Sequence, residues 1–75
     1  MLVKVIAFGQ ISEITGRQFT IDATDTEELN LLLKTKYTEL AEKKYAIAVN
    51  KKIISGIAKL TENDEVALMP PYSGG

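Results

Sequence analysis

The stretch from Asp25 to Tyr37 decides most of what this chain can fold into. Asp25 stands as an N-cap with Glu28 three residues later, a capping-box spacing, and Glu27 and Glu28 put negative charge in the first turn. Side-chain oxygens there satisfy orphan backbone N–H groups, and acidic residues suit the positive end of the helix dipole. Leu29, Leu32, Leu33 and Tyr37 follow at i, i+3, i+4 and i+8, which predicts one apolar stripe. Lys34 and Lys36 come late, again in agreement with the dipole. A single amphipathic helix must bury its leucines on something, and the flanking segments say on what. The run Thr38 to Lys44 fits either helix or loop.

Those flanks alternate like strands. Leu2 to Phe8 is rich in β-branched residues and bounded by Gly9. Period two puts Met1, Val3, Val5 and Ala7 on one wholly apolar face, predicted to meet the core, and Leu2, Lys4, Ile6 and Phe8 on the other. In so small a chain a second covered face is hard to arrange, so Phe8 is read as part of a partner-binding surface, the alternative being a core phenylalanine tucked under the next loop. Ile11 and Ile14, three apart, suit about one turn of helix, closed by Gly16 with φ > 0. Arg17 to Asp22 alternates with Phe19 and Ile21 inward, pairing antiparallel to the first strand. Tyr45 to Val49 is a third strand, Asn50-Lys51 a turn, and Ile53-Ile54 a very short fourth strand stopped by Ser55-Gly56. Leu60 anchors the next loop, and Glu62-Asn63-Asp64 is a turn in which Asn63 tolerates the left-handed region. Glu65 to Met69 is the last strand, Val66 and Leu68 inward, Ala67 and Met69 facing the same way as Phe8.

The order strand, strand, helix, strand, short strand, strand describes an α+β chain, with one main helix crossing a mixed sheet of four to five strands. That is the β-grasp arrangement, and it sets the first and last strands side by side in parallel. The chain divides into a β-grasp body, 1–69, and an extended C-terminal tail, 70–75.

Composition narrows the chemistry. With 75 residues the body is near the small end of what folds alone, too small for an elaborate pocket. The chain has no cysteine and no histidine, which removes the thiol nucleophile, the usual general base and the commonest metal ligand. No metal site and no self-contained catalysis are expected. Nine basic against ten acidic residues give a net charge of −1, and the doublets Lys43-Lys44 and Lys51-Lys52 have no interleaved aromatics, so no nucleic-acid partner is expected. No apolar run approaches the roughly 20 residues of a membrane span, nor is there a signal-peptide layout, and the chain is expected to be cytoplasmic.

The tail is where chemistry remains. Val66 to Met69 runs into Pro70-Pro71, then Tyr72-Ser73-Gly74-Gly75. The prolines stop the ladder and keep the chain extended. Glycines without Cβ let a backbone slide close to another protein, and a terminal glycine is the least hindered acyl group a chain offers. Gly75 is therefore read as the reacting group, served by another protein's active site.

Those residues carry a resemblance. A β-grasp body ending in Gly-Gly resembles the ubiquitin-like proteins. More narrowly, Asp64 to Gly75, with its acidic turn, hydrophobic strand, Pro-Pro, two variable residues and Gly-Gly, is similar to the MoaD-type small subunits of molybdopterin synthase. Val5 to Gly16 and Ala48-Val49-Asn50 resemble that family's opening strand-turn and third strand. Ser12 departs from a common arginine, Asn63 from a glycine and Tyr72 from a small aliphatic. The resemblance implies a sulfur carrier. An adenylating enzyme of the MoeB type would join Gly75 to AMP, using ATP, and a persulfide would convert the acyl group to a thiocarboxylate. The large synthase subunit, of the MoaE type, would draw in Gly74 and Gly75 and pass sulfur to a cyclic pterin. Phe8, Met69, Pro70, Pro71, Tyr72 and Ser73 would contact these partners, and no cofactor would be bound permanently. Two alternatives use the same Gly75: a ThiS-like carrier for thiamin thiazole, and a ubiquitin-like protein modifier.

Overall fold

The computed structural model describes residues 2–70. Its elements are β1 (Leu2–Ala7), α1 (Gly9–Thr15), β2 (Gln18–Asp22), α2 (Thr26–Lys36), a 3-10 turn (Thr38–Glu42), β3 (Ala46–Val49), β4 (Lys52–Ile53) and β5 (Glu65–Met69). The five strands form one mixed sheet in the order β2-β1-β5-β3-β4. β1 runs antiparallel to β2 and parallel to β5, while β5 is antiparallel to β3. This is the β-grasp sheet, with the first and last strands adjacent at its centre.

Alternation decides the layers. Val3, Val5 and Ala7 of β1 and Val66 and Leu68 of β5 are buried and join Leu29 and Leu33 of α2 in one core, closed by Ile11, Leu40 and Leu60. Phe19 and Ile21 of β2 pack against it, partly buried. The helix start follows the sequence reading. The Glu28 N–H donates to Asp25 Oδ1 at 2.7 Å, and the Glu28 carboxylate accepts from the Thr24 N–H at 2.7 Å. Two backbone donors are thus satisfied, worth about 1 kcal/mol for the Asp25 cap.

Three expectations need correction. Leu32 is exposed; the buried face of α2 is Thr26, Leu29 and Leu33, with Tyr37 packed beyond it. At 3.6 residues per turn Leu32 stands about 100° around the helix from that line. Thr26 is what rotates the face, because its hydroxyl accepts the Ala58 N–H while its own N–H donates to the Ala58 carbonyl. α1 is longer than one turn, seven residues beginning at Gly9, and Gly16 closes it with φ 91°. Among the described non-glycine residues, positive φ occurs at Asn50 (49°) and Lys51 (73°), and not at Asn63. Those two form the tight loop from β3 to β4, of the type whose twist matches the strands it joins. The turn before β5 is closed instead by Asp64, which accepts the Thr61 N–H on its side chain and donates its own N–H to the Thr61 carbonyl. The open stretch after α2 resolves as the 3-10 turn, which buries Leu40.

Among the described residues no helix is long and apolar enough to cross a membrane.

Candidate functional site

Among the described residues no helix lies on the sheet's second face, whose residues come from the same strands in opposite phase. Register sets Ile6 of β1 beside Ala67 of β5, Ala67 beside Ala48 of β3, and Ala48 beside Ile53 of β4. One apolar row thus crosses four of the five strands. A second row lies toward the end where β5 stops, with Ala46 opposite Met69. The Phe8 N–H donates to the Leu68 carbonyl at 3.0 Å, extending the β1-β5 ladder one step and bringing Phe8 level with Met69. Phe8 is 48% exposed and Ile53 65%. Exposed aromatic and aliphatic surface of this kind is what a protein interface covers.

A hollow of ≈ 300 Å³ opens on this face, lined by Ile6, Phe8, Ala48, Ala67 and Met69, with Lys51 and Glu65 contributing charge. The other lining groups are hydrocarbon or thioether. Apart from the Lys51 amine and the Glu65 carboxylate, such a lining offers area from which water is readily displaced.

Pro70 continues from Met69 and seats its ring against α1. A Cβ placed on Gly9 would meet Pro70 Cγ at 2.8 Å, so these two residues are in direct contact. Phe8, Met69 and Pro70, expected from the sequence as partner contacts, are therefore neighbours at one end of the bare face. Pro71, Tyr72, Ser73, Gly74 and Gly75 lie outside the described residues, as does Met1.

Sequence reasoning missed Ile53 and left Ile6 unassigned. The signal for Ile53 was present: a two-residue loop at Asn50-Lys51 fixes the hairpin register and puts Ile53 on the same face as Ala48.

The network at the far end of the site is polar. Asn50 Nδ2 donates to Asp64 Oδ1 at 2.9 Å, and Asn50 Oδ1 accepts the Glu65 N–H at 3.0 Å. The Asn50 amide first, then the Thr61 N–H, holds the exposed Asp64 carboxyl below the ordinary aspartate range. A separate hollow of ≈ 360 Å³ lies between α2 and the loop after β4, where the Tyr45 hydroxyl donates to Asn30 Oδ1 and burial raises the Tyr45 pKa.

Comparison with known proteins gives a consistent set. Residues 5–75 match the ThiS family. The molybdopterin synthase sulfur carrier subunit of Escherichia coli (strain K12) is 32% identical, over 99% of this chain and all of that protein. The subunit of the same name from Dictyostelium discoideum is 30% identical, over 96% of this chain and 94% of that one. Among solved structures, a complex of subunits 1 and 2 of molybdopterin-converting factor from Helicobacter pylori 26695 contains a chain with TM-score 0.78 and 35% identity, both chains being covered completely.

Proposed function

The chain belongs to the ThiS family, and from its likeness to molybdopterin synthase sulfur carrier subunits we propose that it is the sulfur carrier subunit of a molybdopterin synthase, working in molybdenum cofactor biosynthesis. Its body, 1–69, docks, and its tail, 70–75, reacts. The observation that carries this reading is the bare apolar face of Ile6, Phe8, Ala67 and Met69, set directly beside the residue from which the tail departs. A partner that covers this face is thereby placed over the start of the tail.

The chemistry follows from what the chain lacks. With no cysteine, sulfur cannot ride on a side-chain thiol. A carboxylate is a poor acyl donor because its leaving group would be oxide. An activating enzyme of the MoeB type joins the Gly75 carboxylate to the α-phosphorus of ATP, releasing pyrophosphate, so that AMP becomes the leaving group. A persulfide sulfur attacks the carbonyl and expels AMP, giving an acyl disulfide. A second thiol then cleaves its S–S bond and frees the thiocarboxylate. The large synthase subunit admits Gly74 and Gly75, whose missing side chains suit a narrow tunnel, while Pro70 and Pro71 limit the conformations lost on entry. Sulfur passes to the cyclic pterin, water supplies the oxygen that restores the carboxylate, and the carrier leaves unchanged. The carrier binds no cofactor of its own; ATP is consumed by the activating enzyme, in the cytoplasm.

Intact mass spectrometry tests this. After incubation with activating enzyme, ATP and a persulfide donor, the chain is expected to gain the mass difference between sulfur and oxygen. The thiocarboxylated form, mixed with the large subunit and cyclic pterin precursor, is expected to return to its starting mass as dithiolene forms. Folded protein that keeps its mass in the first step overturns the carrier reading. Mass gain without sulfur delivery to the pterin moves the chain to another sulfur pathway.

A further inference from the structure

Three glycines fall among the described residues, and they differ in what surrounds them. A Cβ on Gly16 or on Gly56 would meet nothing within 4 Å. A Cβ on Gly9 would lie 2.8 Å from Pro70 Cγ and 3.6 Å from Pro70 Cδ, and Gly9 has φ 57°, where side chains are strained. The atom it would strike belongs to a ring with a fixed φ, so a flexible side chain cannot swing aside to relieve the contact.

Gly9 cannot retreat easily either. Immediately before it, the Phe8 N–H is bonded to the Leu68 carbonyl at 3.0 Å, and the Phe8 carbonyl accepts from the Ile11 N–H at 3.2 Å. The Gly9 carbonyl accepts from Ser12 Oγ at 2.7 Å. With Gly9 held on both sides, any added atom must displace Pro70. Pro70 is the base of the tail, and Pro71 after it disfavours compensation by a helical bend.

We infer that Gly9 is a positioning residue for the tail: by lacking a Cβ it lets Pro70 seat on the start of α1 and so fixes the direction from which Gly75 is presented to the activating enzyme and the large subunit. This rests on the carrier reading above. It assigns to a residue in the first turn of α1 a part in chemistry at the far end of the sequence, without contact between Gly9 and the reacting atoms.

The test uses the full chain and the pair Gly9→Asn and Gly56→Asn. Asparagine tolerates a left-handed φ such as that of Gly9, and Gly56 has no positive φ, but only the first variant sets an atom against Pro70. Each is melted, its affinity for the activating enzyme is measured, and pyrophosphate release is followed in a single turnover at saturating enzyme. Gly9→Asn is expected to fold and bind, yet to react at least about tenfold more slowly at saturation, as misplaced reacting groups do, while Gly56→Asn stays within about twofold. Pro70→Ala, which removes the ring from the other side of the contact, is expected to slow the same step, and it decides the matter should Gly9→Asn fail to fold. Wild-type rates in either Gly9→Asn or Pro70→Ala, or an equal loss in Gly56→Asn, overturn the assignment to Gly9. A wild-type chain that releases no pyrophosphate overturns the carrier reading and this inference together.

Discussion

The two faces of this sheet are built by the same strands and have opposite fates. On one, Val3, Val5, Val66 and Leu68 disappear beneath α2. On the other, Ile6, Phe8, Ala67, Met69 and Ile53 form an apolar tract with no helix above it. Hydrophobic content alone does not separate them; what separates them is whether this chain supplies the cover. The covered face holds the packed core of a small domain, whereas the other leaves apolar area uncovered among the described residues. The lesson is that one strand can be read twice, once for folding and once for association, and that its two residue phases should be scored separately.

The comparison extends to the tail, whose terminal glycine is assigned to the reaction and not to the fold. Removing Gly75 is expected to abolish activation completely while the melting temperature stays unchanged, as checked by pyrophosphate release and thermal melting. A large loss of stability would break the separation. Next comes the covered face: Leu33→Ala, from a fully buried site, should cost about 2–5 kcal/mol in denaturant titration. Its counterpart on the bare face, Phe8→Ala, should move stability by about 0.5 kcal/mol or less, yet weaken binding of the large subunit by more than about 1 kcal/mol in calorimetry. If Phe8→Ala were as destabilising as Leu33→Ala, the two faces would not differ in kind. Smaller still, Asp25→Ala should cost about 1 kcal/mol through the lost helix cap, with partner affinity untouched.

The smallest effect is on pH. The folded Asp64 carboxyl lies below its unfolded value, so the folded state binds fewer protons there. Its contribution is present above the ordinary aspartate pKa and is lost as pH falls through the depressed folded value. Asp64→Asn should therefore lower stability in the neutral region and leave the strongly acid end nearly unchanged, so that the acid limb flattens. Denaturant midpoints measured across the acid range check this, and an unchanged slope would sink it.

Much of the fold was legible because local chemistry and burial agreed. Asp25 and Glu28 marked a helix start that the hydrogen bonds reproduce, and the phases of Val3 and Val66 placed both strands. Leu32 was misread because three leucines at i, i+3 and i+4 fit a stripe leaning either way, and the residue that chose was a polar one, Thr26, through a backbone partner 32 positions away. Asn63 was misread because a turn signal states that the chain bends, not which backbone angles it uses; Asp64 closed that turn from its side chain. That Phe8 and Met69 share the sheet's second face was legible from alternation. Ile53 depended on a hairpin register, and the Gly9–Pro70 contact on tertiary proximity, neither of which composition encodes.

β5 lies at the centre of the sheet between β1 and β3, yet it is the last strand in the chain. Synthesis therefore delivers this strand after both of its sheet neighbours, and the edge of β1 that receives it, a row of unpaired N–H and C=O groups, waits until then. Assembly is an all-or-nothing event by timing as well as by energetics. A chain cut short just before Glu65 would own most of the residues of the fold and lack the strand that joins β1 to β3.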